Sequence, residues 1–202
     1  MRKNIITISR QFASGGHEIG KMVADKLGID FYDKEIISIV AKKSGYSVEF
    51  VEETGELVSH SLLFNIAAGS MFGSQGFNGE LPIGDKVYVA QYNVIQDIAK
   101  KGPCVIVGRG ADYILRERDD CFNVFIHADM TFRKNLALKS DAYSISEKNI
   151  EKEILKRDKR RAAHYNHYTS NVWGASENYD ITLNSASIGI EKCADAIVSL
   201  VK

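Results

Sequence analysis

The sequence predicts an α/β fold in which a parallel sheet is covered by helices on both faces. Short β-branched runs alternate with helical patterns along the chain, an order typical of parallel sheets. The run 103–107 (PCVIV) is apolar throughout, as in a parallel strand buried on both faces, and 122–127 (FNVFIH) has a similar character. The chain has 202 residues with neither an internal repeat nor a clear linker, so we expect one domain, 1–202.

The first half of the chain predicts two strands and several helices. A strand at 4–9 (NIITIS) breaks at 10–16 (RQFASGG), and the helix that follows ends at Gly28. After a short strand at 29–32, Asp33 is well placed to cap the next helix. The remaining elements are a helix carrying Ile36, Ile37 and Val40, a less regular helical segment at 45–68, a glycine-rich mobile loop at 69–84 and a helix at 85–101.

The second half predicts three more strands and places the functional site. A capping box at 144–147 starts a long polar helix that runs to about Tyr168. A last strand at 179–183 precedes a closing helix, marked by Ile190, Cys193, Ala194 and Ile197. Ligands of parallel sheets bind at the carboxyl ends of the strands, where this chain carries 10–16, Asp33 and 108–110. We therefore expect the functional residues at this edge.

The composition excludes several classes of protein. Hydrophobic residues are 45% and charged residues 26%, which is typical of a globular chain. Lys plus Arg and Asp plus Glu number 26 each, so with a formal net charge of zero we expect no nucleic-acid or membrane partner. Cys104, Cys121 and Cys193 form no CxxC pair, and the five histidines lack metal-ligand spacing, so we expect neither a zinc site nor a disulfide framework and single out no metal-ligating residue. No stretch approaches the ~20 apolar residues of a membrane span, and we expect a cytoplasmic protein.

The segment SRQFASGGHEIGK, residues 9–21, is a candidate phosphate-binding loop, although an ordinary strand–helix turn is the alternative. It departs from the GxxxxGK[ST] pattern, and two registers are open. In the first register, residues 15–21 form the loop and Lys21 is its lysine. In the second, residues 10–16 form it and Gly16 stands where the lysine is expected. Ile19 already belongs to the helix face, which favours the second register, with a phosphate-binding set of Arg10, Ala13, Ser14, Gly15, Gly16, His17 and Glu18.

Several runs together resemble a known family. They are IITISRQFASGGHEIGKMVADKLGIDFYD, CVIVGRGADYIL, RDKRR and YDITLNSASIG, and they are similar to the cytidylate kinase-like family, a divergent relative of the nucleoside monophosphate kinases. The resemblance implies a P-loop kinase-type three-layer fold with a five-stranded parallel sheet, a helical acceptor-binding region at about 34–100 and a lid at about 144–172. It also implies transfer of the ATP γ-phosphoryl group, with Mg²⁺, to a nucleoside monophosphate such as CMP or to another small acceptor.

The resemblance carries over to particular residues. Arg109 matches an arginine that binds the acceptor phosphate. Asp33 matches an aspartate at the end of the second strand, and the resemblance implies that it orients substrate as the alternative to capping the helix. Arg157, Asp158 and Arg161 match the R-D-x-x-R of the lid, and Arg133 matches an arginine after the fourth strand. Helical spacing supports the lid independently, because one face carries Ile150, Ile154, Arg157, Arg161 and Tyr165. A solvated charged face is the alternative, as is an RNA-binding helix with aromatics at 164–168, whereas His164 and His167 are expected on the lid surface.

The chain also departs from the family pattern. The P-loop lysine is replaced by Gly16, and the DGRD run of cytidylate kinases becomes VGRG at 107–110, without either aspartate. Lys34, Ile39 and Ile154 replace further polar residues of that pattern, so CMP as acceptor does not follow. Three hypotheses remain: a kinase for a small acceptor, a non-catalytic nucleotide-binding module, and an interaction protein that uses 69–84.

Overall fold

A computed structural model describes residues 3–54, 81–139 and 147–202 of the chain. Five strands form one parallel sheet in the order β2-β3-β1-β4-β5, which confirms the predicted architecture. The strands are β1 Ile5–Arg10, β2 Asp30–Tyr32, β3 Cys104–Val107, β4 Cys121–His127 and β5 Ile181–Asn184. In the central register, Ile5 pairs with both Cys104 and Cys121, so the carboxyl ends of β1, β3 and β4 share one edge.

Helices connect these strands and cover both faces of the sheet. Their bounds are α1 Gly16–Leu27, α2 Glu35–Ser44, α3 Val48–Thr54, α4 Ile83–Lys101, α5 Ala111–Ile114, α6 Met130–Lys139, α7 Ile150–Tyr168, α8 Ser185–Ile188 and α9 Ile190–Val201. Short 3₁₀ turns occupy Glu147–Asn149 and Ser176–Asn178.

Alternation along β1 builds a core on each side of the sheet. Ile5 points into a cluster with α2, α4 and α5, whereas Ile6 and Ile8 point into a cluster with α1 and α9. All three isoleucines have no solvent exposure. Because both faces are buried, the sheet edge at the strand carboxyl ends is left to bind ligands.

Several predicted element boundaries are wrong, and packing explains the differences. Helix α4 begins at Ile83, so Gly84 is helical, while 69–80 of the predicted loop and 55–68 of the helical segment lie outside the described residues. The polar helix starts at Ile150 rather than at 144–147, of which 144–146 also lie outside that part of the chain. Ile150 and Ile154 are buried in one cluster with Phe12, and this packing stabilises the first turns of α7.

Two further surveys cover the described part of the chain. No helix there has the length and apolar character needed to cross a bilayer. Nor does that part contain a group of three or more His, Cys, Asp or Glu side chains placed to hold a metal ion.

Candidate phosphate-transfer site

The loop between β1 and α1 has the geometry of the second register. Helix α1 begins at Gly16, and Ala13 and Gly15 adopt left-handed conformations with φ of 56° and 80°. The first turn of a helix leaves its N–H groups without partners inside the helix. Within the described residues, the N–H groups of Gly16, His17 and Glu18 have no acceptor. The loop thus presents a row of donors suited to an anion, whereas Lys21 lies exposed further along α1.

Gly16 is required by the side chain of Arg10. A Cβ on Gly16 would lie 2.7 Å from the Cβ of Arg10 and 2.8 Å from its Cγ. Of the two adjacent glycines, Gly15 is the one with a positive φ, at 80°. The Arg10 guanidinium continues toward the turn after β3, where a Cβ on Gly108 would overlap its Nη1 atom. Glycine at 16 and 108 therefore makes room for one arginine that crosses the carboxyl edge of the sheet.

Asp33 lies beside this arginine and binds His17. Arg10 Nη2 is 3.6 Å from Asp33 Oδ1, and His17 Nδ1 is 2.6 Å from Oδ2. Burial opposes ionisation of Asp33, but the His17 hydrogen bond and the charges of Arg10 and Arg109 outweigh it and lower the pKa of the carboxyl. The same hydrogen bond raises the pKa of His17. The cap of α2 is Lys34, without a side-chain cap bond, so the capping alternative for Asp33 is wrong.

Arg109 is held in a strained turn. Residues 108, 109 and 110 have φ of 76°, 60° and 64°, three consecutive left-handed conformations. Such a conformation is costly for any residue except glycine. The buried Gln91 of α4 donates from Nε2 to the Arg109 carbonyl at 3.1 Å and thereby fixes the turn. The turn aims a guanidinium into the site from the end of β3.

A small cavity of about 40 Å³ lies at the carboxyl edge, between β1, β3 and α7. It is lined by Ser9, Arg10, Gly108, Arg109, Gly110, Arg161, His164, Tyr165 and Trp173. Three arginines from three separate elements thus line one space, which is the charge distribution expected around a phosphate or carboxylate. The cavity gathers Arg10, Arg109 and Arg161 of the predicted site residues.

The other predicted residues of α7 shape the loop. Asp158 accepts the Phe12 N–H through Oδ1 at 2.7 Å and pairs through Oδ2 with Arg133. Arg133 in turn donates from Nε to the Phe12 carbonyl at 2.7 Å and is only 4% exposed. The Arg157 guanidinium lies 4.6 Å from the centre of the Phe12 ring and bonds Glu153. Asp158 and Arg133 therefore bind the loop backbone, while Arg157 lies outside the cavity lining.

Arg161 connects α7 to the strand end directly. Its Nη1 atom donates to the Arg10 carbonyl at 3.1 Å, and its side chain also lines the cavity. Neighbouring Lys159 and Arg160 are exposed. The helix face therefore separates as the spacing predicted, with the arginines of the stripe toward the protein and the other basic residues toward solvent.

Comparisons with known proteins identify the family to which this chain belongs. A family model for the cytidylate kinase-like family matches residues 5–187. The chain belongs to this family. No curated protein matches it. As a member of the cytidylate kinase-like family, it is similar to the crystal structure of an uncharacterised protein from Eubacterium ventriosum, with 25% identity, a TM-score of 0.69 and coverage of 98% of this chain and 97% of that one.

Solved shikimate kinases share the fold of this cytidylate kinase-like protein. The enzyme from Bacteroides thetaiotaomicron has 14% identity and a TM-score of 0.56 over 98% of this chain and 97% of its own. The enzyme from Acinetobacter baumannii, in complex with shikimate, has 13% identity and a TM-score of 0.53 over 100% and 93%. At these identities the likeness establishes a P-loop kinase fold and nothing about the substrate.

Sequence reasoning missed a buried carboxylate in this family member. Asp112 of α5 is 5% exposed and accepts hydrogen bonds from Tyr165 Oη at 2.6 Å and Ser9 Oγ at 3.4 Å. Burial raises its pKa against the opposing effect of these bonds. The tyrosine signal was visible, because Tyr165 ends the helical stripe, but its partner lies 53 residues away in the chain.

The aromatic segment of α7 belongs to the core, which corrects two expectations. Tyr168 stacks on Tyr88 with ring centroids 3.9 Å apart, and its hydroxyl donates to the buried Asp85. His164, expected on the surface, is 8% exposed. Burial first, and then the charges of Arg109 and His167, lower the pKa of His164 to about 3. These rings are therefore not an exposed stacking platform for RNA.

Proposed function

We propose that the protein is a phosphotransferase that moves the γ-phosphoryl group of ATP to a small acceptor carrying an anionic group. One observation carries this: Arg10, Arg109 and Arg161 line a single cavity next to the donor-rich loop. Phosphoryl transfer depends on positioning and on positive charge around the transferred group, and this site provides both. Membership of the cytidylate kinase-like family supports the proposal.

The loop fits a nucleotide triphosphate. The N–H groups of Gly16, His17 and Glu18 would bind phosphate oxygens, because they have no acceptor among the described residues. Gly15 has φ of 80°, a conformation that residues with a side chain rarely adopt, so the tight turn that exposes these donors favours glycine there. When bound, ATP supplies the phosphoryl group and Mg²⁺ neutralises its charge.

The residues around Mg²⁺ would differ from the P-loop pattern. His17 stands where that pattern has a Ser or Thr hydroxyl for the metal, and its Nδ1 atom is bound to Asp33. Mg²⁺ keeps several waters and binds one or two carboxylates besides phosphate oxygens. Asp33, ionised because its pKa is lowered, is the carboxylate we assign either to that shell or to the acceptor hydroxyl.

We assign the acceptor side of the site to Arg109 and the transfer step to Arg161. Arg109 projects from the end of β3, a different strand end from the glycine loop. Arg161 comes from α7 and binds the strand end next to the cavity, where it would stabilise charge on the transferred group. Since Lys34 and Ile39 replace residues of the CMP pattern, we expect an acceptor other than CMP.

A coupled assay of ATP consumption tests this proposal. The panel would contain nucleosides, nucleoside monophosphates and small hydroxylated carboxylates, each with MgATP. We expect turnover with one acceptor class and its loss in Arg161→Ala. MgATP binding without turnover on any acceptor would instead indicate a non-catalytic nucleotide-binding module. Failure to bind any nucleotide would favour the interaction protein.

A further inference from the structure

Residues 10 and 16 compete for the same space. The methylene stem of Arg10 fills the position that any side chain at residue 16 would need, at 2.7 Å from Cβ to Cβ. Real Cβ atoms do not approach one another so closely. A lysine at residue 16 and an arginine at residue 10 are therefore mutually exclusive in this backbone.

The charged end of Arg10 remains available to the site. Its side chain is 20% exposed, its guanidinium lies next to Gly108, and it lines the cavity together with Arg109 and Arg161. The ion pair with Asp33 is long, at 3.6 Å, which is weaker than a direct hydrogen bond. Arg10 is thus anchored through its stem while its guanidinium still has donors to offer.

We propose that Arg10 and Gly16 are an exchanged pair, in which the cation of the phosphate-binding loop comes from the end of β1 and the start of α1 has become glycine. This inference rests on the proposed function. In the P-loop pattern the first residue is glycine and the lysine reaches the β- and γ-phosphates. Here the two residue types have changed places around an otherwise similar loop, QFASG at 11–15.

The exchange predicts a reciprocal rescue. Arg10→Gly removes the cation, and Gly16→Lys alone drives a side chain into the Arg10 stem. The double variant Arg10→Gly with Gly16→Lys removes the overlap and reads GQFASGK, which matches the P-loop pattern through its lysine. The backbone contact from Arg161 to the carbonyl of residue 10 needs no Arg10 side chain.

Thermal unfolding of the wild type, the two single variants and the double variant tests, without any nucleotide, whether residues 10 and 16 compete for space. We expect Gly16→Lys to unfold at a lower temperature than the wild type, and the double variant to recover most of that loss. Non-additivity of this kind is the signature of two residues in direct contact. A double variant as unstable as Gly16→Lys would overturn the exchange.

Calorimetric titration with MgATP tests the chemical part. We expect Arg10→Gly to weaken binding roughly 10- to 100-fold, as for loss of a charge-assisted contact, and the double variant to regain it. Lys21→Ala, which removes an exposed cation of α1, should bind as the wild type does. Full affinity in Arg10→Gly, or a larger loss in Lys21→Ala, would overturn the inference. A wild-type protein that binds no MgATP would refute the proposed function. The unfolding comparison would still decide whether side chains at residues 10 and 16 exclude one another.

Discussion

Arg109 combines an unfavourable backbone conformation with a position on the cavity, and substitution can separate the two. Arg109→Gly should remove the guanidinium and relieve the left-handed strain, raising the free energy of unfolding by about 1 kcal/mol. Arg109→Ala should remove the guanidinium without that relief. Both variants should weaken binding of the acceptor by roughly 1.5–3 kcal/mol, with little change in the binding of ATP. Denaturant unfolding and titration check this, and an equal loss of ATP and acceptor binding would contradict the assigned role.

His164 should make the protein sensitive to acid. Its pKa is lowered to about 3 in the folded chain, so the unfolded chain binds a proton more readily from pH 6.5 downward. The free energy of unfolding therefore decreases as the pH falls from 6.5 toward 3, by roughly 1.4 kcal/mol per pH unit for one such group. His164→Gln should flatten the pH dependence of urea unfolding between about pH 6 and pH 4. An unchanged slope would show that other groups dominate.

At the scale of elements, side chains on neighbouring turns of α7 should contribute differently to turnover. Arg161→Ala should lower turnover more than ground-state binding, because its charge acts on the transferred group. Arg157→Ala should have a smaller effect, since this side chain packs on Phe12 outside the cavity lining. Lys159→Ala, at an exposed position of the same helix, is the control. Steady-state kinetics would show a diffuse basic surface instead if all three variants behaved alike.

The pair that joins α7 to α6 should matter more for stability than the surface pair next to it. Asp158→Ala leaves the buried Arg133 without its carboxylate, a change that typically costs about 3–5 kcal/mol. Glu153→Ala removes two partly exposed pairs, with Arg157 and with Lys156, each worth about 0–1 kcal/mol. Urea unfolding measures both variants. Similar midpoints for the two would mean that Asp158 contributes little to holding α7.

At the scale of the whole molecule, local sequence patterns predicted the sheet and its order of elements. The pattern of Cys104–Val107 is compatible with few placements other than a buried strand, because an apolar β-branched run must be covered on both faces. Periodicity also predicted the face of α7 that carries Arg157 and Arg161. What the sequence could not predict was where long-range partners meet.

The polar contacts of the site depend on tertiary placement. Asp158 and Phe12 are 146 residues apart, and Asp112 and Ser9 are 103 apart, so no spacing rule connects them. The need for Gly16 likewise follows from the side chain of Arg10 across the loop, which a one-dimensional motif does not record. A sequence motif identifies such a glycine but explains it by close contact with the ligand, whereas here a neighbouring side chain requires it.

The grip of α6 and α7 on Phe12 has a kinetic consequence. Both backbone groups of Phe12 are engaged by the protein itself, the N–H by Asp158 and the carbonyl by Arg133. The loop thus has its shape before any nucleotide binds. Nucleotide binding therefore needs no slow rearrangement of this segment. Stopped-flow mixing with a fluorescent ATP analogue should give a single phase whose rate rises linearly with analogue concentration. In Asp158→Ala that rate should level off, because the loop would then have to order itself within each binding event.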